Sequence, residues 1–443
     1  MNGHRQLLRA SAGLSMTRVL TLILQALHFA LIARLLDTAW FSGFVAGTAL
    51  ALIVHALAEF GLVHTIVLAL RRATDDSRTV LRVAVTANLV LLGAAVSVAG
   101  AAAGRILPSE GVHTFWLMLP ATVCLGLQQP FIAYRRHRLE FSRLALADFV
   151  GRALPVVCLV PIFALGRSWA ASTHVVAIVV GLFAGALVAL CLVIPARPLH
   201  ALRPGRIRPG LRLIGDAAPL GATTALSLVH TRVDQIVLSA YGYRLALASY
   251  AVAYRLLDAA LAVVVAASGV ALPALAKADG RERVQIAQGQ VALLGIIAVL
   301  SGSAVFVFAP QLVVVLGGER YASAAWFARL LSPALVVSVL NVGPAMVAIV
   351  QDRAKALLPI ALFGVTLNLV LNLALAGRYG ASAAAVVTVA SETVGLLLVA
   401  RVARRALPGS VSLPVVFVSL GGFTVACFGG LLLLRAVGPL VGS

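Results

Sequence analysis

Residues 172–212 read STHVVAIVVGLFAGALVALCLVIP and then ARPLHALRPGRIRPGLR. Over 172–195 there is no Asp, Glu, Lys or Arg. As a helix rising about 1.5 Å per residue, this stretch outruns the roughly 30 Å of hydrocarbon in a bilayer. Its apolar residues run on without alternation, and in lipid only a helix satisfies every backbone group within one such segment. The second stretch gathers Arg197, Arg203, Arg206, Arg208 and Arg212 among prolines and glycines. An apolar block that ends in an arginine-rich break is a membrane span running out into a loop.

The pattern repeats along the chain. Splitting at charged and Pro/Gly-rich breaks gives thirteen expected spans: 14–35, 41–70, 80–103, 112–134, 144–165, 172–195, 214–240, 245–273, 288–316, 325–350, 356–376, 381–400 and 413–434. The first block, starting near Leu14, is too long for a signal-peptide core and is read as the first span. Composition agrees: 61% of residues are hydrophobic, 11% are charged, and the mean hydropathy is +1.03. A soluble domain carries roughly 25% charged residues. The expected fold is an all-α polytopic membrane protein.

Basic residues set its orientation. Taking the breaks alternately, one side collects 23 of the 35 Lys and Arg residues and the other side 6. That is the positive-inside asymmetry, and it places the N-terminus on the cytoplasmic side. It also accounts for the net charge of +20 without nucleic acid as a partner. The break at 196–213 is the longest and most basic. It divides residues 1–195 (spans one to six) from 214–403 (spans seven to twelve), leaving 404–443 with one extra C-terminal span. Two lobes with even span counts share one orientation, which suits a parallel repeat.

Familiar catalytic chemistry is missing. Neither Lys277 nor Lys355 follows a glycine, so there is no phosphate-binding loop of the GK[ST] kind, and no HExxH occurs. Cys124, Cys158, Cys191 and Cys427 lie inside apolar blocks at unrelated spacings, forming neither a disulfide framework nor a metal site. The expectation is a transporter, not an enzyme, with no cofactor and no metal.

Polar groups inside spans are therefore the candidate site. Arg18, Gln25 and His28 share one face of the first span, and cations without a carboxylate suit an anionic ligand. Snorkelling toward headgroups is the competing reading for Arg18 and Arg34. His55 and Glu59, one turn apart, read as a proton relay or as a packed pair. Asp148 with Arg152 and Arg255 with Asp258 read as internal salt bridges. Arg232 and Asp234, two apart, cannot share a helix face and need separate partners, either other helices or ligand. Asn341, Asn368 and Asn372 could meet sugar hydroxyls or bond between helices. Glu392 is a lone intramembrane acid suited to ion coupling.

Several stretches resemble a known family. Ala33-Arg34-Leu35-Leu36 with Phe41-Ser42-Gly43 resembles "ARxLG…yG", and Glu59-Phe60-Gly61-Leu62 is similar to "DFGL". Arg232-Val233-Asp234 with Ser249-Tyr250-Ala251 and Tyr254-Arg255 resembles "RxD…vgxYxxAxR". Asn368 to Asn372 with Arg378-Tyr379-Gly380-Ala381 resembles "LNxxLN…pxyGxxGA", departing at Ser382. These are patterns of the O-antigen-type polysaccharide flippases in the multidrug/oligosaccharidyl-lipid/polysaccharide exporter superfamily. Thr17-Arg18-Val19-Leu20 resembles the start of the related lipid II flippases.

The resemblance implies two six-helix lobes around a central cavity that alternates its access. The implied location is the bacterial cytoplasmic membrane, the implied cargo is a polyprenyl-pyrophosphate oligosaccharide, and the implied partners are membrane lipids, H⁺ or Na⁺, and a polysaccharide polymerase or glycosyltransferases. On this reading Arg18, Gln25, His28, Arg232, Asp234, Arg255, Asn341 and Asn368 receive substrate, while Glu59, Asp258 and Glu392 serve ion coupling. An ion-coupled multidrug exporter of the same superfamily is the main rival. A transport-inactive scaffold for envelope-assembly or signalling proteins is the third reading.

Overall fold

A computed structural model describes residues 20–72, 77–165, 169–195, 206–268 and 271–441, and these form helices without a strand. In chain order they are α1 (Leu20–Leu35), α2 (Thr38–Glu59), α3 (Leu62–Arg72), α4 (Ser77–Ile106), α5 (Ser109–His137), α6 (Phe141–Leu165), α7 (Ala171–Val193), α8 (Ile207–His230) and α9 (Val233–Ala240). Then follow α10 (Arg244–Ser268), α11 (Ala271–Lys277), α12 (Gly280–Val307), α13 (Ala309–Gly317), α14 (Ala324–Val350), α15 (Ala354–Ala406) and α16 (Leu413–Val441). Among the described residues, ten helical segments are long and apolar enough to cross a membrane. The protein is a multi-pass membrane protein; of the thirteen expected spans, the first (described from Leu20) and 214–240 are not among these ten, and 356–376 and 381–400 fall in one helical element.

Several expected spans are two helices rather than one. The segment 41–70 breaks at Phe60-Gly61, where φ is 34° and 66°. Asp37 starts that segment, its carboxylate accepting the Trp40 N–H at 2.9 Å. Gly61 lies against Gly221 of α8: a Cβ on Gly61 would come 2.8 Å from the Gly221 nitrogen, and one on Gly221 would strike the Phe60 carbonyl oxygen. The break therefore lets α8 approach backbone to backbone. Segment 214–240 breaks at Thr231-Arg232, and 288–316 breaks at Phe308.

The 53-residue α15 contains the opposite case, two expected spans that share one element. Gly380 has φ 59° and ψ −145°, outside helical geometry. Asn368 Nδ2 donates to Ser391 Oγ at 3.1 Å across a separation of 23 residues. In a straight helix those residues would stand about 35 Å apart, so the chain doubles back at Gly380. The expected boundary between 356–376 and 381–400 falls on this turn.

The chain divides into two compact units, Met1–Leu245 and Ala246–Ser443. In the first unit α2, α4 and α5 pack together, α6 lies on α7, and α8 lies on α2, α3 and α4. The core includes Leu62, Ile66, Leu70, Ala84, Ala87, Leu213 and Ala217, all buried. Thus α8, which follows the basic break at 196–213, packs with the helices that precede it. In the second unit α14 packs on α12 and α15, and α16 lies mainly on α12. Outward-facing Phe417, Val418, Val425 and Phe428 on α16 are each about two-thirds or more exposed, as suits a helix bordered by lipid.

Candidate functional site

In the first unit Arg18 falls outside the described residues. Gln25 of α1 is half-buried and turns its amide oxygen to the Arg152 guanidinium of α6, with Nη2 at 3.3 Å. Arg152 Nε also donates to Asp148 Oδ1 at 2.8 Å. The expected i,i+4 salt bridge is therefore present, and α1 joins it. His28, one turn from Gln25, is half-buried; Arg34 is exposed at the end of α1, as a headgroup-seeking arginine would be.

Glu59 is the last residue of α2 and is half-buried, as is His55 one turn before it. The charge acting on Glu59 comes from Arg136 of α5. Asn88, fully buried on α4, donates to the Ala58 carbonyl at 2.9 Å, satisfying one of the acceptors that the end of α2 leaves open. Arg232 is half-buried and occupies the non-helical residue between α8 and α9, with φ −127° and ψ −13°. Asp234 is buried in the first turn of α9, where its Oδ1 accepts the Gln235 N–H at 2.7 Å. The helix N-terminus favours a carboxylate there.

In the second unit Arg255 and Asp258 are half-buried on α10, and Glu392 is half-buried on the second arm of α15. Asn341 is half-buried between Pro333 and Pro344 on α14, and its Oδ1 lies buried with no hydrogen-bond donor among the described residues. Asn368 is wholly engaged. It donates to Ser391 and accepts from Asn372 Nδ2 at 2.9 Å, with both asparagines fully buried. Ser391 in turn donates to the Thr388 carbonyl at 3.1 Å, and Tyr250 of α10 lies 3.5 Å from Thr388 Oγ1. The motif residues Tyr250, Asn368 and Asn372 thus form one buried polar ladder that ties the two arms of α15 to each other and to α10.

One functional-looking cation was hidden by its position near a loop. Arg135, read from sequence as a charge in the break after the fourth span, is 3% exposed. Its Nε and Nη2 donate to the Val193 and Ile194 carbonyls at 3.0 Å each, and Nη1 pairs with Glu140. It caps the end of α7, where unsatisfied carbonyls collect. Gln128, about two turns earlier on α5, donates to the Ala186 carbonyl of α7 at 2.9 Å. Among the described residues no group of His, Cys, Asp and Glu could hold a metal.

The fold is shared with known transporters. It is similar to a structure of the lipid II flippase MurJ in an inward closed conformation, with TM-score 0.73 and 12% identity over 96% of this chain and 92% of that one. A multidrug resistance MATE family transporter of the MOP superfamily, inward-facing, matches with TM-score 0.66 and 14% identity over 88% and 97%. A MOP superfamily transporter from Pyrococcus furiosus matches with TM-score 0.58 and 15% identity over 91% and 96%. No curated protein sequence matches the chain. Residues 7–279 match the family model for polysaccharide biosynthesis proteins. That match covers more than half of the chain, which therefore belongs to the polysaccharide biosynthesis protein family.

Proposed function

We propose that this protein is a flippase that carries a polyprenyl-pyrophosphate oligosaccharide across the bacterial cytoplasmic membrane by alternating access. The observation that carries the reading is Arg232, held half-buried at the break between α8 and α9 of a polysaccharide biosynthesis family member. A cation at membrane depth costs at least about 2.5 kcal/mol, and an anionic headgroup offsets that cost. A guanidinium fork matches phosphate oxygens in a way that a lysine does not. Membership of the family supports a glycan cargo, and the lipid-linked form is supported by the fold shared with a lipid II flippase.

On this reading Arg18, Arg232 and Arg255 receive the diphosphate, while Gln25, His28, Asp234 and Asn341 line the route for polar groups. The polyprenyl tail stays in lipid. Glu59, Asp258 and Glu392 are the acids through which H⁺ or Na⁺ would couple. Without a nucleotide-binding motif, an ion gradient, the membrane potential or removal of product drives the cycle. The protein translocates its cargo and does not transform it.

The test is surface glycan in cells whose own copy is replaced by Arg18→Ala, Arg232→Ala or Arg255→Ala. Each should lose at least tenfold of the surface glycan at unchanged protein level. Full glycan in all three would sink the reading. Efflux of a cationic dye that persists in these variants would instead favour a multidrug exporter.

A further inference from the structure

The end of the first unit where α3 finishes and α4 and α8 begin is rich in arginine. Leu70, Ala84 and Leu213 share one buried cluster there. Gly210 of α8 lies against Thr86 and Ala87 of α4. The first turn of α8 therefore lies against the third turn of α4, with the last turn of α3 in the same buried cluster.

Residues flanking these anchors face outward. Arg71, Arg78, Arg206, Arg208 and Arg212 are all exposed, and none makes an ion pair among the described residues. On α8 Ile207 and Leu211 stand between the arginines, 62% and 52% exposed. Asp216, one turn beyond Arg212, is the sole acid on α8. Guanidinium groups interleaved with exposed aliphatics are what an interfacial helix presents to lipid: cations reach phosphates and aliphatics enter the acyl boundary. In a multi-pass protein the end of a helix bundle lies within reach of headgroups by geometry.

We propose that this end of α3, α4 and α8 is a docking surface for anionic phospholipid headgroups of the leaflet it faces. The first two turns of α8 lie in that interface. The proposal is independent of the cargo reading and stands or falls on lipid binding alone.

The experiment uses the full-length purified protein in mixed micelles, titrated with labelled phosphatidylglycerol or phosphatidylcholine at low and high salt. Each arginine near an anionic surface contributes about fivefold in affinity. The variant Arg78→Gln/Arg208→Gln/Arg212→Gln should bind phosphatidylglycerol at least tenfold more weakly, with phosphatidylcholine unchanged. Replacing the same three by lysine should preserve most of the binding. Equal phosphatidylglycerol affinity in the wild type and the glutamine variant overturns the proposal, as does equal wild-type affinity for the two lipids. If the glutamine variant fails to stay monodisperse, the wild type and lysine variant decide. Salt should weaken phosphatidylglycerol binding in both, and salt-independent binding overturns the proposal. Capture of an acidic protein without lipid preference would assign the surface to that partner and overturn the lipid reading.

Discussion

Gly61 and Gly221 meet with no room for a side chain on either: a Cβ on the first would approach the backbone nitrogen of the second to 2.8 Å. Gly61 also holds φ at +66°, where a side chain costs about 1–2 kcal/mol. Gly61→Ala and Gly221→Ala should each lower stability by about 1–3 kcal/mol through overpacking. Thermal unfolding in detergent checks this, and Gly93→Ala, a helical position with open space around it, should hold or raise the melting point, since alanine is the better helix former.

Arg135 closes the end of α7. Arg135→Ala leaves the Val193 and Ile194 carbonyls without their donor and Glu140 without its cation, a loss of about 3–5 kcal/mol. Arg135→Lys keeps the charge but lacks the fork that serves three acceptors, so it should fall between wild type and alanine. A melting point for Arg135→Ala within a degree of wild type would contradict the capping role.

The asparagine ladder predicts a different ordering. Asn368→Ala breaks two hydrogen bonds inside a buried network and should cost about 1–3 kcal/mol. Tyr250→Phe removes only a 3.5 Å contact and should cost under about 1 kcal/mol. If Asn368 instead serves substrate alone, its alanine variant will melt normally while surface glycan disappears.

At the α1–α6 contact, Arg152→Lys can retain an ion pair with Asp148 yet lose its planar contact with Gln25. Both Arg152 and Asp148 are more than 40% exposed, so the pair itself is worth little. The expectation is near-normal stability for Arg152→Lys and Asp148→Asn. Reduced glycan with intact folding would then mark Gln25 and Arg152 as part of the transport route. Loss of folding in either variant would show that the contact holds α1 in place.

Spans were legible in the sequence because bilayer thickness fixes how long an apolar run must be. The arginine-rich breaks punctuate those runs, and Gly380 marks its turn at the expected place. Breaks at Phe60-Gly61, Thr231-Arg232 and Phe308 were not legible as breaks. Each lies inside a run long enough to read as one span, and polar residues beside a break, such as Glu59 or Arg232, read equally well as site residues within a continuous helix. Tertiary partners were hidden for a different reason. Arg135 looked like one more loop arginine, since nothing local shows that α7 ends beside it. Gln25 and Arg152 lie on helices far apart in the chain. Local spacing did give Asp148 and Arg152, because one turn of helix suffices to bring them together.

The turn at Gly380 has no loop to absorb a change in chain length. Adding or deleting one residue beside it would rotate the returning arm by about 100° relative to the first. Thr388 and Ser391 would then swing away from Asn368 and Asn372. Indels should therefore be absent from this hairpin across descendants of the gene.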